Sequence, residues 1–487
     1  MLLYVPIYAL PPLACNEARP TARLLAAWMG GGYTTDRGTG ARGWTHVMGN
    51  RSRGGAASPA DFGGVPGDVP AFLSARLPVF CFALLVFNVF VGFWPVFISG
   101  AYDGGEMMEG GGDTVRQISF AGVFLLVAVT SVHRHGAAAL WDVPLPLLVL
   151  LGWCWLSIGW AVEPSVAARR ILFTSMVALS VVWSVNMLSH RGVLTVVGLW
   201  FAAILAADWL AVALFPQALH PPGELDAALV GNWRGIHAHK NEAGAFCALA
   251  TLVFLDLSIR GRSRIVGPLL TVAAFAFLVM TQSKTSTGLV VVAAVLAGGV
   301  VLCFRNPALR VGVLVGGLCA GPLLLAAYGD GAEDLAAVFD DPSSLTGRVQ
   351  IWPVLFRYAA DHPLLGSGYG SFWAIGDGSP IFGYDAGWLT KITHAHNGYI
   401  DMLVQIGSVG AILSVVGLVV WPLHLLLSRP LLPVRSRWLL AAILLFGWLH
   451  NLLETSFLDR ANIVWVMILL AYCLLRRGVV QGWSAAA

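Results

Sequence analysis

Four short polar clusters interrupt an otherwise apolar chain, and they contain residue types that bind phosphate and activate a hydroxyl group. Arginine pairs with phosphate oxygens through a planar fork, and lysine supplies a mobile positive charge. A histidine whose pKa is near neutrality can accept a proton from a hydroxyl. The clusters are 234–241 (RGIHAHKN), 282–286 (QSKTS), 347–352 (GRVQIW) and 394–398 (HAHNG).

This inventory suits an anionic phosphate group and a hydroxyl nucleophile. A pyrophosphate leaving group gains negative charge as its bond to a sugar breaks, so cations held against it stabilise the transition state more than the ground state. Chemistry of this kind requires no metal ion.

Each of these residues also has a structural explanation. A lysine at a helix end, such as Lys240 or Lys284, can simply extend to the lipid headgroups. An arginine such as Arg348 can anchor a helix at the membrane surface. We favour hydrogen-bonding roles within the fold over catalysis for His237, His239 and His394, and chemical roles for Lys284, Arg348 and His396.

The two His-Ala-His motifs raise the question of a zinc site. Their histidines are two residues apart, whereas a helical metal pair has a spacing of four, and no paired acid or cysteine stands nearby in sequence. The acidic residues of 329–341 lack the regular alternation of a calcium-binding loop. We therefore expect no metal and no cofactor.

The overall composition indicates a membrane protein. Of 487 residues, 57% are hydrophobic and 11% are charged, whereas about a quarter of the residues in a soluble domain are charged. The 19 tryptophans fit the headgroup region, where indole rings are favoured. No basic patch with interleaved aromatic residues argues for nucleic acid.

Apolar stretches of a length that can cross a bilayer follow one another after residue 76. They predict an all-α, polytopic membrane protein with about twelve transmembrane helices and one large periplasmic loop that itself contains helices. The predicted spans are 77–99, 117–132, 143–161, 171–188, 193–215, 242–259, 265–282, 288–304, 311–328, 405–427, 438–455 and 461–475.

The predicted organisation has five parts. Residues 1–76 are expected to be a disordered cytoplasmic tail or the product of an over-extended start. Residues 77–328 carry the first nine spans and 329–404 form the periplasmic loop. Residues 405–477 carry the last three spans, and 478–487 form a second cytoplasmic tail.

Loop charges orient these spans. If every span holds, the arginine-rich connections all lie on one side, which the positive-inside rule identifies as the cytoplasm, together with both termini. All four polar clusters then lie on the opposite, periplasmic face. The arginines are Arg260, Arg262, Arg264, Arg305, Arg310, Arg429, Arg435, Arg437, Arg476 and Arg477.

The order of these motifs resembles the signature region of the O-antigen ligase superfamily, which also includes O-antigen and exopolysaccharide polymerases. The resemblance rests on GRVQIW at 347–352, DHPLLGSGYGSF at 361–372 and HAHNGYID at 394–401. In architecture it extends over about 77–477, but the specific motifs occupy only about 232–244, 282–287 and 343–410.

The resemblance implies a glycosyltransferase of the bacterial inner membrane that is active at the periplasmic face. Its donor would be an undecaprenyl-pyrophosphate-linked glycan. Its acceptor would be lipid A-core in a ligase, or a growing polysaccharide chain in a polymerase. Association with other polysaccharide assembly proteins is also possible.

The resemblance also assigns roles to residues. The family's loop arginine matches Arg348, and its proposed catalytic histidine matches His396. A second cation of the family aligns with Lys284, where an arginine is expected, and lysine cannot grip phosphate with two parallel bonds. The predicted contacts to pyrophosphate or sugar come from Lys284, Arg234, Asn241, Asn397 and His394.

These roles imply a catalytic mechanism, and two alternative functions stay open. Cations hold the pyrophosphate while His396 activates the acceptor hydroxyl, and direct displacement would invert the anomeric centre. A lipid-linked glycan flippase or another transporter would also be hydrophobic, but such proteins tend to have midplane charges and paired halves. A non-catalytic partner in an export complex is the second rival.

Overall fold

The structure is a computed structural model that describes residues 71–91, 114–222, 229–261, 264–305, 348–384, 387, 392–428, 433–460 and 462–480. The predicted span 311–328 and the tail 478–487 beyond residue 480 lie outside these ranges, as do 1–70 of the predicted N-terminal tail and 329–347 of the predicted loop. In the described ranges the fold is all-α, and the β-structure consists of two isolated bridges.

Twelve helices run through the described parts of the chain. In chain order they are α1 (Ala71–Phe90), α2 (Thr114–His135), α3 (Leu145–Leu156), α4 (Pro164–Met187), α5 (His190–Leu214), α6 (Lys240–Ile259), α7 (Val266–Met280), α8 (Lys284–Arg305), α9 (Arg348–Asp361), α10 (Gly398–Leu427), α11 (Val434–His450) and α12 (Ile463–Val480).

Six of these helices are long and apolar enough to cross a membrane, namely α2, α4, α5, α6, α8 and α10. Shorter apolar helices lie at 76–90, 145–160, 266–280 and 436–450. The chain is therefore a multi-pass membrane protein. The predicted total of about twelve spans remains a prediction.

Several helices begin or end several residues away from the predicted boundaries. The predicted start at residue 171 left out two arginines, whereas α4 begins at Pro164 and includes them. Arg170 donates hydrogen bonds to the carbonyls of Gly370, Trp373 and Ala374. An arginine paired in this way can lie inside an apolar helix. Similarly, α11 ends at His450, five residues before the predicted end of its span.

Helix α6 lies at the centre of the bundle. It packs against α5, α7, α8, α11 and α12, and Phe246 and Phe254 on it are fully buried. Helix α6 is apolar around most of its circumference, which is typical of a helix that other helices surround. The packing of α6 therefore fixes the position of its first residues at one end of the bundle.

A break in α10 joins the bundle to the loop after α9. Gly407 has φ 67° and ψ −177°, a conformation that a side chain rarely permits. The chain after α9 fills the break, because the Ser408 amide donates to the Pro363 carbonyl at 2.9 Å and the Ser367 amide donates to the Val404 carbonyl at 3.0 Å. The break lies two residues after 405, where the sequence predicts that the span begins.

Replacing Gly407 by alanine should destabilise the protein. This combination of φ and ψ is essentially restricted to glycine and costs other residues about 1–3 kcal/mol, and the added Cβ would also collide with the Leu364 backbone. We expect a clearly lower thermal midpoint for the purified protein. The matched control is Gly288→Ala in α8, where nothing lies within 4 Å of the new atom; equal midpoints for the two variants would contradict this account.

Candidate functional site

The segment 394–396 is held by its middle residue. Ala395 is fully buried; its amide donates to Asp401 Oδ1 at 3.3 Å, and its carbonyl accepts from Trp352 Nε1 at 3.1 Å. Asp401 lies in the first turn of α10, and Trp352 lies in α9. Two helices therefore fix the backbone between the two histidines.

A second layer of contacts holds Asp401 itself. Its carboxylate accepts from Trp373 Nε1 at 2.7 Å and from Gln405 Nε2 at 2.5 Å. Gln405 Oε1 in turn accepts the Gly370 amide at 2.7 Å. Through this series of hydrogen bonds, the loop after α9 supports the segment 394–396. Arg170 binds the same loop.

His396 has an unusual backbone conformation and a carboxylate partner. Its φ of 49° lies in the left-handed region, which is uncommon for residues other than glycine and is concentrated at functional sites. Its Nδ1 lies 3.2 Å from Glu454 Oε2, and its side chain is 26% exposed. A neutral His396 that donates from Nδ1 keeps the lone pair of Nε2 for a proton from another molecule.

Glu454 connects two of the polar clusters. Asn241 Nδ2 donates to Glu454 Oε1 at 3.1 Å, so the segment 234–241 and the segment 394–398 meet at this carboxylate. Asn241 is placed by the start of α6, where its amide donates to His239 Nδ1 at 3.2 Å. The preceding amide of Lys240 donates to His220 Nε2 at 3.2 Å.

The other two clusters lie beside these. Gly244 on α6 lies against Ser283, so closely that an added Cβ would be 2.5 Å from the Ser283 Cβ. Lys284 follows as the first residue of α8 and is exposed. Arg348 is the first residue of α9 and precedes Trp352 by four positions, about one helical turn on the same face.

Arg234 is buried, with 3% of its surface exposed. Its Nε donates to the Gln217 carbonyl at 2.9 Å, and its Nη1 lies 3.5 Å from the Ala238 carbonyl. These contacts hold the turn that precedes α6. The prediction of direct phosphate contact fits this geometry poorly, because a buried guanidinium that binds backbone carbonyls is not presented to a ligand.

The same turn is anchored by Asp208 of α5. Asp208 Oδ1 accepts the Ile236 amide at 2.9 Å, and Asp208 Oδ2 lies 3.4 Å from His237 Nε2. Burial alone would lower the pKa of His237, but the Asp208 carboxylate opposes it and the net pKa is raised. His237 is therefore paired with Asp208 inside the protein, a contact that suits a structural role.

Asn397 serves as the N-cap of α10. Its side-chain oxygen accepts the amides of Tyr399 and Ile400 at 3.0 and 3.1 Å, and its Nδ2 donates to the Leu452 carbonyl at 3.0 Å. These bonds place the turn that carries His396. The His394 ring lies against the His396 ring with centroids 4.0 Å apart, and its Nδ1 is 3.2 Å from Thr393 Oγ1.

Comparison with known proteins finds a family whose model matches part of the chain. Residues 269–415 match the family described as O-antigen ligase. This part of the chain is similar to that family. This match contains Lys284, Arg348, His394, His396 and Asn397, but it ends before Glu454.

A curated relative supports the assignment. The chain is 27% identical over 201 residues to the exopolysaccharide production protein ExoQ of Rhizobium meliloti (strain 1021). The similarity covers 38% of this chain and 45% of that relative, so the chain spans under half the length of the relative.

Sequence reasoning missed Glu454, because the residue lay within the predicted span 438–455. In the structure, α11 ends at His450, and Asn451 accepts the amides of Ser456 and Phe457 through its side-chain oxygen. The available signal was the run of polar residues in HNLLETS at 450–456. Polar groups at the end of an apolar stretch often mark the end of the span.

The fold therefore brings an acid from the segment after α11, Glu454, to the two histidines of 394–396, although this acid is distant from them in sequence. Among the described residues, His394, His396 and Glu454 form a group whose ligand atoms all lie within 4.8 Å of one another. One argument against a metal site no longer holds.

Replacing Trp352 by phenylalanine should lower activity more than stability. The change removes the indole N–H that binds the Ala395 carbonyl and keeps most of the apolar contact. A neutral hydrogen bond is worth about 0.5–1.5 kcal/mol, so we expect the rate of a reaction at this site to fall by about twofold to tenfold. Trp438→Phe loses a similar bond to the Ala294 carbonyl and serves as the control; an equal loss there would contradict a role specific to 394–396.

Proposed function

We propose that this protein is a glycosyltransferase that moves an undecaprenyl-pyrophosphate-linked glycan onto an acceptor hydroxyl at the periplasmic face of the inner membrane. The main support is the His396–Glu454 pair, whose Nδ1 and Oε2 atoms are 3.2 Å apart, with His396 on a left-handed backbone. The O-antigen ligase domain match supports the same substrate class.

In the proposed reaction, His396 is the general base. Its Nε2 accepts the proton of the acceptor hydroxyl while that oxygen attacks the anomeric carbon of the donor glycan. The bond from the anomeric carbon to the pyrophosphate oxygen breaks, and undecaprenyl pyrophosphate leaves as an anion. Attack from the opposite side inverts the anomeric configuration. Glu454 stabilises the imidazolium that forms and holds the ring in one orientation.

Arg348 and Lys284 bind the pyrophosphate in this proposal. Arg348 is the first residue of α9, the helix whose Trp352 binds the backbone between the two histidines. Lys284 is exposed at the start of α8. Positive groups at a developing anion stabilise the transition state, so the reaction needs no metal.

The remaining predicted contacts position the site. Asn241 orients Glu454, Asn397 caps α10, and Arg234 holds the turn before α6. His394, with its ring against that of His396, is the residue of this set best placed to touch a sugar.

Whether the acceptor is lipid A-core or a second lipid-linked repeat unit decides between a ligase and a polymerase. We favour the ligase-like reaction on the family match, and the similarity to an exopolysaccharide production protein makes the polymerase the alternative. Deleting the gene tests both. Accumulated lipid-linked long chains indicate a ligase and accumulated single repeat units a polymerase, whereas unchanged surface glycans would contradict the proposal.

The same deletion distinguishes the transporter alternative. A flippase mutant retains its lipid-linked units on the cytoplasmic leaflet, whereas a transferase mutant accumulates them on the periplasmic leaflet. A non-catalytic export partner is distinguished by a second measurement. Glycan transfer by the purified protein would favour the proposed enzyme over such a partner.

A further inference from the structure

The two histidines and the acid at the site are arranged as three convergent donors. Their ligand atoms all lie within 4.8 Å of one another, and the two rings are 4.0 Å apart between centroids. His396 has a left-handed φ of 49°, and its ring lies against that of His394.

Two imidazole nitrogens and one carboxylate oxygen are a donor set that zinc prefers. In such sites the metal is bound at about 2.0–2.2 Å by each donor, and a fourth position is open. Donors of a tetrahedral site are then about 3.4 Å apart, so a modest side-chain shift would close the present group around an ion.

Neighbouring side chains already hold the two histidines and Glu454 in position. Trp352 and Asp401 fix the backbone between the histidines, and Asn241 holds the second oxygen of Glu454. Metal ligands oriented by such outer contacts bind more tightly than free ones. The group is also accessible, since the His396 side chain is 26% and the Glu454 side chain 11% exposed.

We propose that His394, His396 and Glu454 form an inhibitory site for Zn²⁺ or a similar transition-metal dication. The inhibition, though not the binding, rests on the proposed function. A neutral histidine with one ring nitrogen on a metal carries a proton on the other, so it has no lone pair with which to accept the proton of a hydroxyl. Metal at either nitrogen therefore removes the general base.

The donor set also determines which ions bind. Mg²⁺ prefers oxygen donors in octahedral geometry and binds poorly to two imidazoles. Mg²⁺ is therefore the matched control ion, with the same charge as Zn²⁺ and a different coordination preference.

Binding is tested on the full-length protein, purified in detergent with an affinity tag that contains no histidine and treated with a chelator. Calorimetric titration with ZnCl₂ should give one ion per chain, and MgCl₂ should give none. His394→Ala and Glu454→Gln should each weaken Zn²⁺ binding by more than about tenfold. His133→Ala, an exposed histidine at the end of α2, should leave binding unchanged.

Failure of Zn²⁺ to bind, or equal binding by the wild type and both site variants, would overturn the proposal. A visible absorption spectrum of the wild type with Co²⁺ is a second measurement that needs no variant. Bands of a four-coordinate ion support the site, and a spectrum equal to that of aqueous Co²⁺ would contradict it.

Activity measurements separate the site from the proposed function. The proposal expects chelator-treated protein to transfer glycan and Zn²⁺ to inhibit it. Activity that is lost with chelator and restored by Zn²⁺ would overturn the inhibitory role and the metal-free mechanism together. Zn²⁺ binding that both site variants weaken, with no transfer under any condition, would support the site and contradict the proposed function.

Discussion

We expect substitution of His396 by asparagine to lower the proposed glycan transfer by about 10²- to 10⁴-fold, the usual contribution of a general base, and to leave the protein folded. Asparagine tolerates the left-handed backbone that this position requires, since its φ is 49°. It has no group that accepts a proton at neutral pH. The measurement is the transfer rate of the purified variant, with its thermal midpoint as the check on folding.

Two further variants sharpen this prediction. His396→Gly keeps the backbone conformation and leaves space for added imidazole, which should restore part of the activity. His362→Ala, at an exposed histidine after α9, should transfer at the wild-type rate. Wild-type transfer by His396→Asn would rule out His396 as the base.

Removal of the Arg348 guanidinium has the second largest expected effect. If this residue binds the leaving pyrophosphate, Arg348→Ala should lower the transfer rate by about 10²- to 10³-fold, which is typical for loss of a group that stabilises developing charge. Arg348→Lys keeps the charge but loses the two parallel hydrogen bonds. We expect its rate to lie between those of the wild type and the alanine variant.

The control for both changes is Arg357, an exposed arginine on the same helix. Arg357→Ala and Arg357→Lys should transfer at the wild-type rate. An unchanged rate for Arg348→Lys would mean that charge alone matters, and an unchanged rate for Arg348→Ala would contradict the assignment of Arg348.

Much of the fold could be predicted because bilayer thickness sets the length of apolar helices. Predicted spans at 117–132, 143–161 and 242–259 correspond to α2, α3 with its following turn, and α6. The boundaries were less accurate where a polar residue is paired inside the bundle. Arg170 in α4 appears as an interruption in the sequence because the carbonyls that it binds come from a loop about 200 residues later.

The candidate site was predictable in its main members and not in its connections. Motif spacing singled out His396 and Asn241, but the carboxylate that joins them belongs to a segment that apolar composition assigned to a span. A local pattern cannot reveal a partner 58 and 213 residues away. The same limit applies to Arg234, whose type suits phosphate binding but whose burial assigns it to the fold.

The most direct test of the central claim is the release of undecaprenyl pyrophosphate by the purified protein in liposomes that contain a lipid-linked glycan and an acceptor. The account predicts that release equals glycan transfer mole for mole in the wild type and falls by at least about a hundredfold in His396→Asn. Absence of release from folded wild-type protein with either lipid A-core or a second lipid-linked unit as acceptor would contradict it.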